Sequence, residues 1–361
     1  YDSSPGATSF ADEPPGPTFR PAPARLAKSQ KRLVRHAALA LDHVGDPEHP
    51  RIDIQTSQIV SAMLLIKNAV IVDPGHSLNG RKRDILIEEG VITEIKSRLK
   101  VTNAEVMDVK GACVSLGWLD MGVHTGDPGF EHRENFQTVA KAAVAGGFTA
   151  LACLPNTQPV LHSKSEAQYV RNSTRTSLVD FYPIGAVSRN CEGVDITEMY
   201  DMYHSGAVAF SDGSHAIQNN GLMMRALQYV KAFDGVILNQ PHDLSIAANG
   251  QGHEGKVSTL MGIRGIPDMA EEMMVQRDLY LAEYTDSRAH IANVSTANSV
   301  ALIQQAKRKG VKVTASVAVL NLAFDDAVLL DFDPAYKVLP PLRRKSDINA
   351  LKKGLKNGTI D

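Results

Sequence analysis

The sequence predicts an α/β protein: a TIM-like parallel (β/α)8-type barrel that stops before its eighth strand, preceded by a small β-sandwich domain. From residue 117 onward, short apolar runs alternate with amphipathic helical stretches, the order a parallel barrel uses. Between Met63 and Leu116 the texture is different, with short alternating strands separated by turn dipeptides. The chain has 361 residues and 43% apolar content, enough to bury a large core, and barrels of this class use more than about 200 residues as one domain.

Residues 1–62 differ from the rest. Pro5, Pro14, Pro15, Pro17, Pro21 and Pro23 crowd a stretch without apolar periodicity, which cannot repay its ordering entropy, so Tyr1 to about Pro23 is expected to be disordered. Leu26, Leu33, Ala37, Ala40 and Leu41 approximate a helical stripe over Ala24 to Val44. Arg and Ser suit a transit peptide, but Asp12, Glu13, Asp42, Asp46 and Glu48 do not; an unrelated extension ahead of Met63 is the plainer reading. From Met63, strands are expected at Leu64 to Val72, Asp84 to Glu88, Val91 to Ile95 and Glu105 to Val109, broken at Pro74-Gly75, Glu89-Gly90 and Lys110-Gly111. Barrel strands are expected at Gly117 to His124, Thr149 to Leu154, Val179 to Val187, Gly206 to Asp212, Gly235 to Gln240, Arg288 to Asn293 and Lys312 to Val317. Helices between them include Phe136 to Ala145, Ile196 to His204, Leu222 to Ala232, Met269 to Tyr284 and Ser299 to Lys309, with a last one at Ser346 to Lys356.

A net charge of −2 gives no global attraction to nucleic acid or an anionic membrane. Runs such as Ile59 to Ile66 are too short to span a bilayer. Cys113, Cys153 and Cys191 form no C-x-x-C pair and suggest neither a disulfide framework nor a zinc knuckle. A cytoplasmic protein with small-molecule or protein partners fits these features.

The most informative stretch is Leu119-Asp120-Met121-Gly122-Val123-His124-Thr125-Gly126-Asp127-Pro128-Gly129. Residues two apart on a strand share a face, so an Asp-x-His-x-His segment ending a barrel strand aims two imidazoles at one metal; here Gly122 takes the first of those positions. The stretch nevertheless resembles the dihydroorotase branch of the amidohydrolase superfamily, whose members read Asp-x-His-x-His-x-Arg-Glu-Pro-Gly. The resemblance runs from about Met63 to Asp361, through Gly146 to Val160, His253-Glu254-Gly255-Lys256-Val257-Ser258, Gly265-Ile266-Pro267, Val294-Ser295-Thr296 and Pro340-Pro341-Leu342-Arg343.

That resemblance implies a metallo-dependent hydrolase barrel in which imidazoles and a bridging carboxylate hold zinc, and the zinc acidifies a water to act on a cyclic amide. Carried over residue by residue, the ligand set is depleted. His124 fills the second imidazole position, while Gly126 stands where an arginine would clamp the substrate carboxylate. Phe210-Ser211-Asp212-Gly213 offers Asp212 as the bridging carboxylate, or equally as a turn residue before Gly213. Gln240 and Asn293 occupy the histidine positions ending the fifth and sixth strands. His242 is either a displaced surrogate or a loop histidine. His290, offset from Asn293 by an odd number, is expected to face away from the lumen, and Leu339 replaces a substrate-binding asparagine. Asn156 is retained as a substrate-binding residue. The remaining histidines, His132, His162, His204, His215 and His253, are expected on the surface or in loops.

The family's catalytic aspartate would lie beyond Asp361, on a strand the chain is expected to lack, as are the C-terminal strands that complete the composite β domain. His124 and Asp212 supply at most two ligands, whereas a catalytic zinc needs about three. By resemblance, the chain reads as a catalytically degenerate dihydroorotase homologue of pyrimidine synthesis, a homo-oligomer acting as a structural or regulatory partner of aspartate carbamoyltransferase. The alternative is a working dihydroorotase, hydantoinase or allantoinase relative with a reduced zinc site.

Overall fold

The computed structural model describes residues 63–247 and 249–361; the extension and the helix expected over 24–44 lie outside the described residues. These residues divide into two compact units, 63–113 and 114–361.

In the first unit, β1 (Leu64–Val72), β2 (Lys82–Glu88), β3 (Val91–Lys96) and β4 (Glu105–Asp108) form one sheet in the order β3-β2-β1-β4. It is the layer assigned from sequence to the β-sandwich region. β1 pairs antiparallel with β2 and parallel with β4. The β2–β3 hairpin turns through Glu89 and Gly90, both at positive φ, 49° and 74°, the conformation that suits the right-handed twist of the flanking strands. Leu65, Leu86 and Leu99 pack together beneath the sheet, and the buried Asp84 carboxylate accepts the N–H groups of Asn68 and Leu99. The strand β5 (Cys113–Ser115) follows.

The second unit is built on β6 (Trp118–Val123), β7 (Phe148–Cys153), β8 (Asp180–Gly185), β9 (Ala209–Phe210), β10 (Val236–Asn239), β13 (Arg288–Ile291) and β14 (Val313–Ala315). All seven are parallel neighbours in chain order, curled as an open barrel with β6 and β14 at its edges. The order is the one the alternating pattern predicts. A short ribbon, β11 (Gly252–His253) with β12 (Gly265–Ile266), interrupts the alternation after β10.

Helices α1 (Phe136–Ala145), α2 (Lys164–Ser173), α3 (Met199–His204), α4 (Asn220–Lys231), α5 (Leu244–Ala247), α6 (Lys256–Met261), α7 (Met269–Thr285), α8 (Ala297–Arg308), α9 (Val319–Ala323) and α10 (Lys345–Lys356) connect the strands. Several begin on side-chain caps that satisfy free backbone donors. Asn135 and Thr138 form a capping box on α1, Ser163 and Glu166 one on α2, and Thr296 caps α8; each cap stabilises by about 1 kcal/mol. Apolar helix faces then close on the sheet: Phe136, Val139 and Val170 on Leu151 and Phe181, Leu222, Met223 and Leu227 on Phe210 and Ile237, and Val300, Ile303 and Leu351 on Ile291 and Val313. Among the described residues no helix is long and apolar enough to cross a membrane.

Candidate functional site

The lumen of the open barrel, from Trp118 and Phe148 at the starts of β6 and β7 to Gln240 and Asn293 past the ends of β10 and β13, holds a cavity of about 510 Å³. Ser211 and Gly213 face it from the end of β9, Leu238 and Gln240 from β10, and His290, Ala292 and Asn293 from β13, while Gly122 and Asp120 belong to β6 and Ser316 follows β14. The positions held by Gly122, Gln240 and Asn293 thus line the same cavity, Gly122 from the edge strand β6 and the two amides from beyond β10 and β13. His124 and Asp212 are not among the lining residues.

Asp212 sits between Ser211 and Gly213 and points out of the lumen, as strand alternation requires. Its Oδ1 accepts the N–H groups of Val187 at 2.9 Å and Ser188 at 2.8 Å, and its Oδ2 accepts the Ser188 hydroxyl. Burial raises its pKa despite those bonds. Of the two readings of Asp212, the packing supports the structural one: the carboxylate braces the loop after β8. Asn156, expected at the substrate, is similarly engaged. Its Nδ2 donates to the Asp212 carbonyl at 3.0 Å and its Oδ1 accepts the Ser214 N–H at 3.0 Å.

His290 corrects an expectation. It faces the cavity rather than turning from it, because β13 ends at Ile291 and Asn293 adopts a left-handed φ of 55°; the counting that put the two on opposite faces assumed an unbroken strand. Its Nδ1 lies 2.8 Å from Thr314 Oγ1 and its Nε2 3.0 Å from Ser316 Oγ. Ser316 Oγ also accepts the Asn293 N–H at 3.1 Å. Burial holds the His290 pKa down to about 4, so the ring is neutral at pH 7. Gln240 donates from Nε2 to the Leu339 carbonyl at 3.3 Å. His242 lines a separate depression with Ala247, Gln251 and Leu339, in keeping with a loop histidine. His124 keeps solvent access, yet its wall removes part of its hydration and lowers its pKa.

The two missing side chains differ physically. A Cβ on Gly122 would meet nothing nearer than Leu154 Cδ1 at 4.0 Å. At Gly126, by contrast, φ is +70° and a Cβ would stand 2.4 Å from the Glu134 carbonyl oxygen. Space is therefore open at Gly122 and filled by backbone at Gly126.

The donor set does not fit a zinc ion. Gly122 offers no ligand, Gln240 and Asn293 offer neutral amides, both His290 nitrogens are bonded to hydroxyls, and Asp212 is held elsewhere. Among the described residues no three His, Cys, Asp or Glu side chains are grouped to hold a metal, whereas a catalytic site uses about three protein ligands.

A second cluster escaped the sequence reading. His253, expected on the surface or in a loop, is buried on β11 beside Arg343. Arg343 donates to Ser295 Oγ, the Ile266 carbonyl and Asp268, and pairs with Glu271. Glu271 in turn accepts the N–H groups of Ser295 at 2.8 Å and Thr296 at 3.1 Å. This network ties α7 to the loop that carries Asn293 and to the segment that carries Leu339. Its trace in sequence was the family match at His253 to Ser258, Gly265-Ile266-Pro267, Val294-Ser295-Thr296 and Pro340-Pro341-Leu342-Arg343.

An open parallel barrel with a pocket in its lumen defines the class, an α/β amidohydrolase-type barrel. The L-hydantoinase (dihydropyrimidinase) from Arthrobacter aurescens has this fold, with a TM-score of 0.72 at 24% identity, over 82% of this chain and 67% of that one. A D-hydantoinase aligns with a TM-score of 0.68 at 21% identity, over the same shares. Residues 111–299 match the family described as dihydro-orotase-like. The dihydroorotase of Pelotomaculum thermopropionicum is 45% identical over 82% of this chain and 70% of its own length, and that of Acetivibrio thermocellus is 42% identical over the same shares. The chain belongs to the dihydroorotase family.

Proposed function

We propose that this protein is a catalytically degenerate dihydroorotase homologue of de novo pyrimidine biosynthesis. The observation that carries the reading is that Gly122, Gln240 and Asn293, three positions where the resemblance calls for imidazoles, line one cavity. Without a metal that lowers the pKa of water to about 7, hydrolysis of a cyclic amide at neutral pH loses its nucleophile. The filled backbone at Gly126 adds to this, since no cation can be placed there to orient a substrate carboxylate. What persists is the packed barrel, which suits a structural or regulatory partner; aspartate carbamoyltransferase is the partner the family resemblance suggests. Its free cysteines suit the cytoplasm.

The identity to proteins named dihydroorotase favours a second reading, a working enzyme with a reduced site around His124. Assay of the unmutated full-length protein for interconversion of carbamoyl-aspartate and dihydroorotate separates the two. No turnover above background is expected. Chelator-sensitive turnover establishes the second reading and removes the first.

A further inference from the structure

The longer helices around the barrel expose few large apolar side chains, with one exception. Helices α1, α2, α4, α8 and α10 each expose one or none, whereas α7 exposes four: Met269 at 51%, Met273 at 53%, Tyr280 at 69% and Tyr284 at 69%. At 3.6 residues per turn all four fall within an arc of about 60°, a stripe about 22 Å long. Helix α7 packs against α4 and α8, so its outer face is framed by helices of the chain and is no part of the seam between β6 and β14. Taking about 200 Å² for a whole side chain of this size, the stripe exposes roughly 500 Å², toward the upper end for the largest apolar patch of a monomer. With flanking residues it reaches the scale of a specific interface, about 800 Å² per partner.

The order of the stripe points to what covers it. It runs Met-Met-Tyr-Tyr, and its steps are the same read from either end. A twofold interface uses one patch on both copies, residue i facing j and j facing i. Laid antiparallel on a second copy, with the axis between positions 276 and 277, the stripe sets Met269 against Tyr284 and Met273 against Tyr280, each a favourable sulfur–ring contact. The two Gln276 carboxamides meet near the axis, and each carries both donors and an acceptor. None of these side chains is charged, so the stripe meets its own image without like-charge repulsion, while an acidic or basic partner finds no opposite charge on it.

The flank toward α8 is complementary as well. Glu272 accepts the Asn298 amide at 3.0 Å and Glu283 pairs with Lys309 at 3.8 Å. The twofold brings Glu283 and its lysine beside the copy's Glu272, so that Lys309 stands between two carboxylates. A cleft of about 210 Å³ between α7 and α8, lined by Leu279, Tyr280, Leu302 and Ala306, opens next to the stripe and gives room for a side chain of the facing copy.

We propose that the outer face of α7 is a self-association surface, on which two copies of this chain pack α7 against α7, antiparallel, about a twofold axis at Gln276.

The test uses the full-length protein. Analytical ultracentrifugation should show a dimer at micromolar concentration. Tyr280→Glu, which sets a charge in the stripe, should weaken it at least tenfold with the circular dichroism of the folded chain unchanged, and Met273→Lys should do the same. Orientation is read by mild oxidation in a Cys113→Ser background: Met273→Cys with Tyr280→Cys in one chain should give a disulfide-linked dimer, and Tyr280→Cys alone should not. A monomer at all concentrations, a dimer indifferent to Tyr280→Glu and Met273→Lys, or cross-linking by Tyr280→Cys alone overturns the proposal. So does a monomer that either charge substitution unfolds, which would show the stripe covered by another part of its own chain.

Discussion

Gly126→Ala should destabilise the barrel unit, whereas Gly122→Ala should leave it unchanged or slightly more stable. At Gly126 the substitution meets two costs. An L side chain at φ +70° is strained by about 1–2 kcal/mol. Its Cβ would also lie 2.4 Å from the Glu134 carbonyl oxygen and 3.1 Å from that of Phe130, and relieving such an overlap with backbone costs about 1–3 kcal/mol. The sum is roughly 2–5 kcal/mol, or a fall in melting temperature of roughly 4–20 °C for a unit of this size. Gly122 has no such neighbour and gains from a stiffer unfolded chain, by about 0.4–1 kcal/mol. Urea denaturation followed by circular dichroism, with both variants beside the parent, reads the difference. Equal stability of Gly126→Ala and parent would refute the argument and reopen room for an anion-clamping arginine at that loop.

Four further outcomes follow from the same geometry. Arg343→Met should cost about 3–5 kcal/mol in urea denaturation, because it strands the buried Glu271 carboxylate without its cation, while Asp268 keeps Arg344. Asp212→Ala should cost about 1–3 kcal/mol by leaving the Val187 and Ser188 donors unpaired, while bound metal stays unchanged; a selective loss of metal would restore Asp212 as a ligand. His290 titrates near 4 when folded against 6.5 when unfolded, so between those values the unfolded chain binds the extra proton. The neutral ring's stabilisation, about 3 kcal/mol, is therefore present above pH 6.5 and lost as pH falls toward 4; His290→Asn should flatten that part of the stability–pH curve. Gly122→His with Gln240→His and Asn293→His should raise zinc affinity by orders of magnitude in competition with a chromophoric chelator, since the three positions line one cavity; no gain would show that they cannot reach one ion.

Much of the fold was legible because it depends on local pattern. The seven barrel strands follow the short apolar runs between helical stretches, and α1, α7 and α10 follow their helical stripes to within a residue or so. Helix α2 was overlooked although Ser163-Lys164-Ser165-Glu166 spells a capping box; its weakly apolar stripe hid it. The site was less legible. Counting alternation along β13 misplaced His290, since one left-handed residue at Asn293 resets the parity. The same alternation, applied to Ser211-Asp212-Gly213, places Asp212 outside the lumen, but only the structure shows Val187 and Ser188 waiting there. The closed space at Gly126 and the buried surroundings of His253 depend on segments distant in sequence, Glu134 for one and Arg343 for the other, and no local pattern encodes them.

Zinc content tests the central claim most directly. Full-length protein, saturated with zinc and then desalted, should retain far less than about one equivalent per chain by elemental mass spectrometry, as a wall of glycine and neutral amides requires. Retention of about one or two equivalents, removed only by a strong chelator, would contradict it.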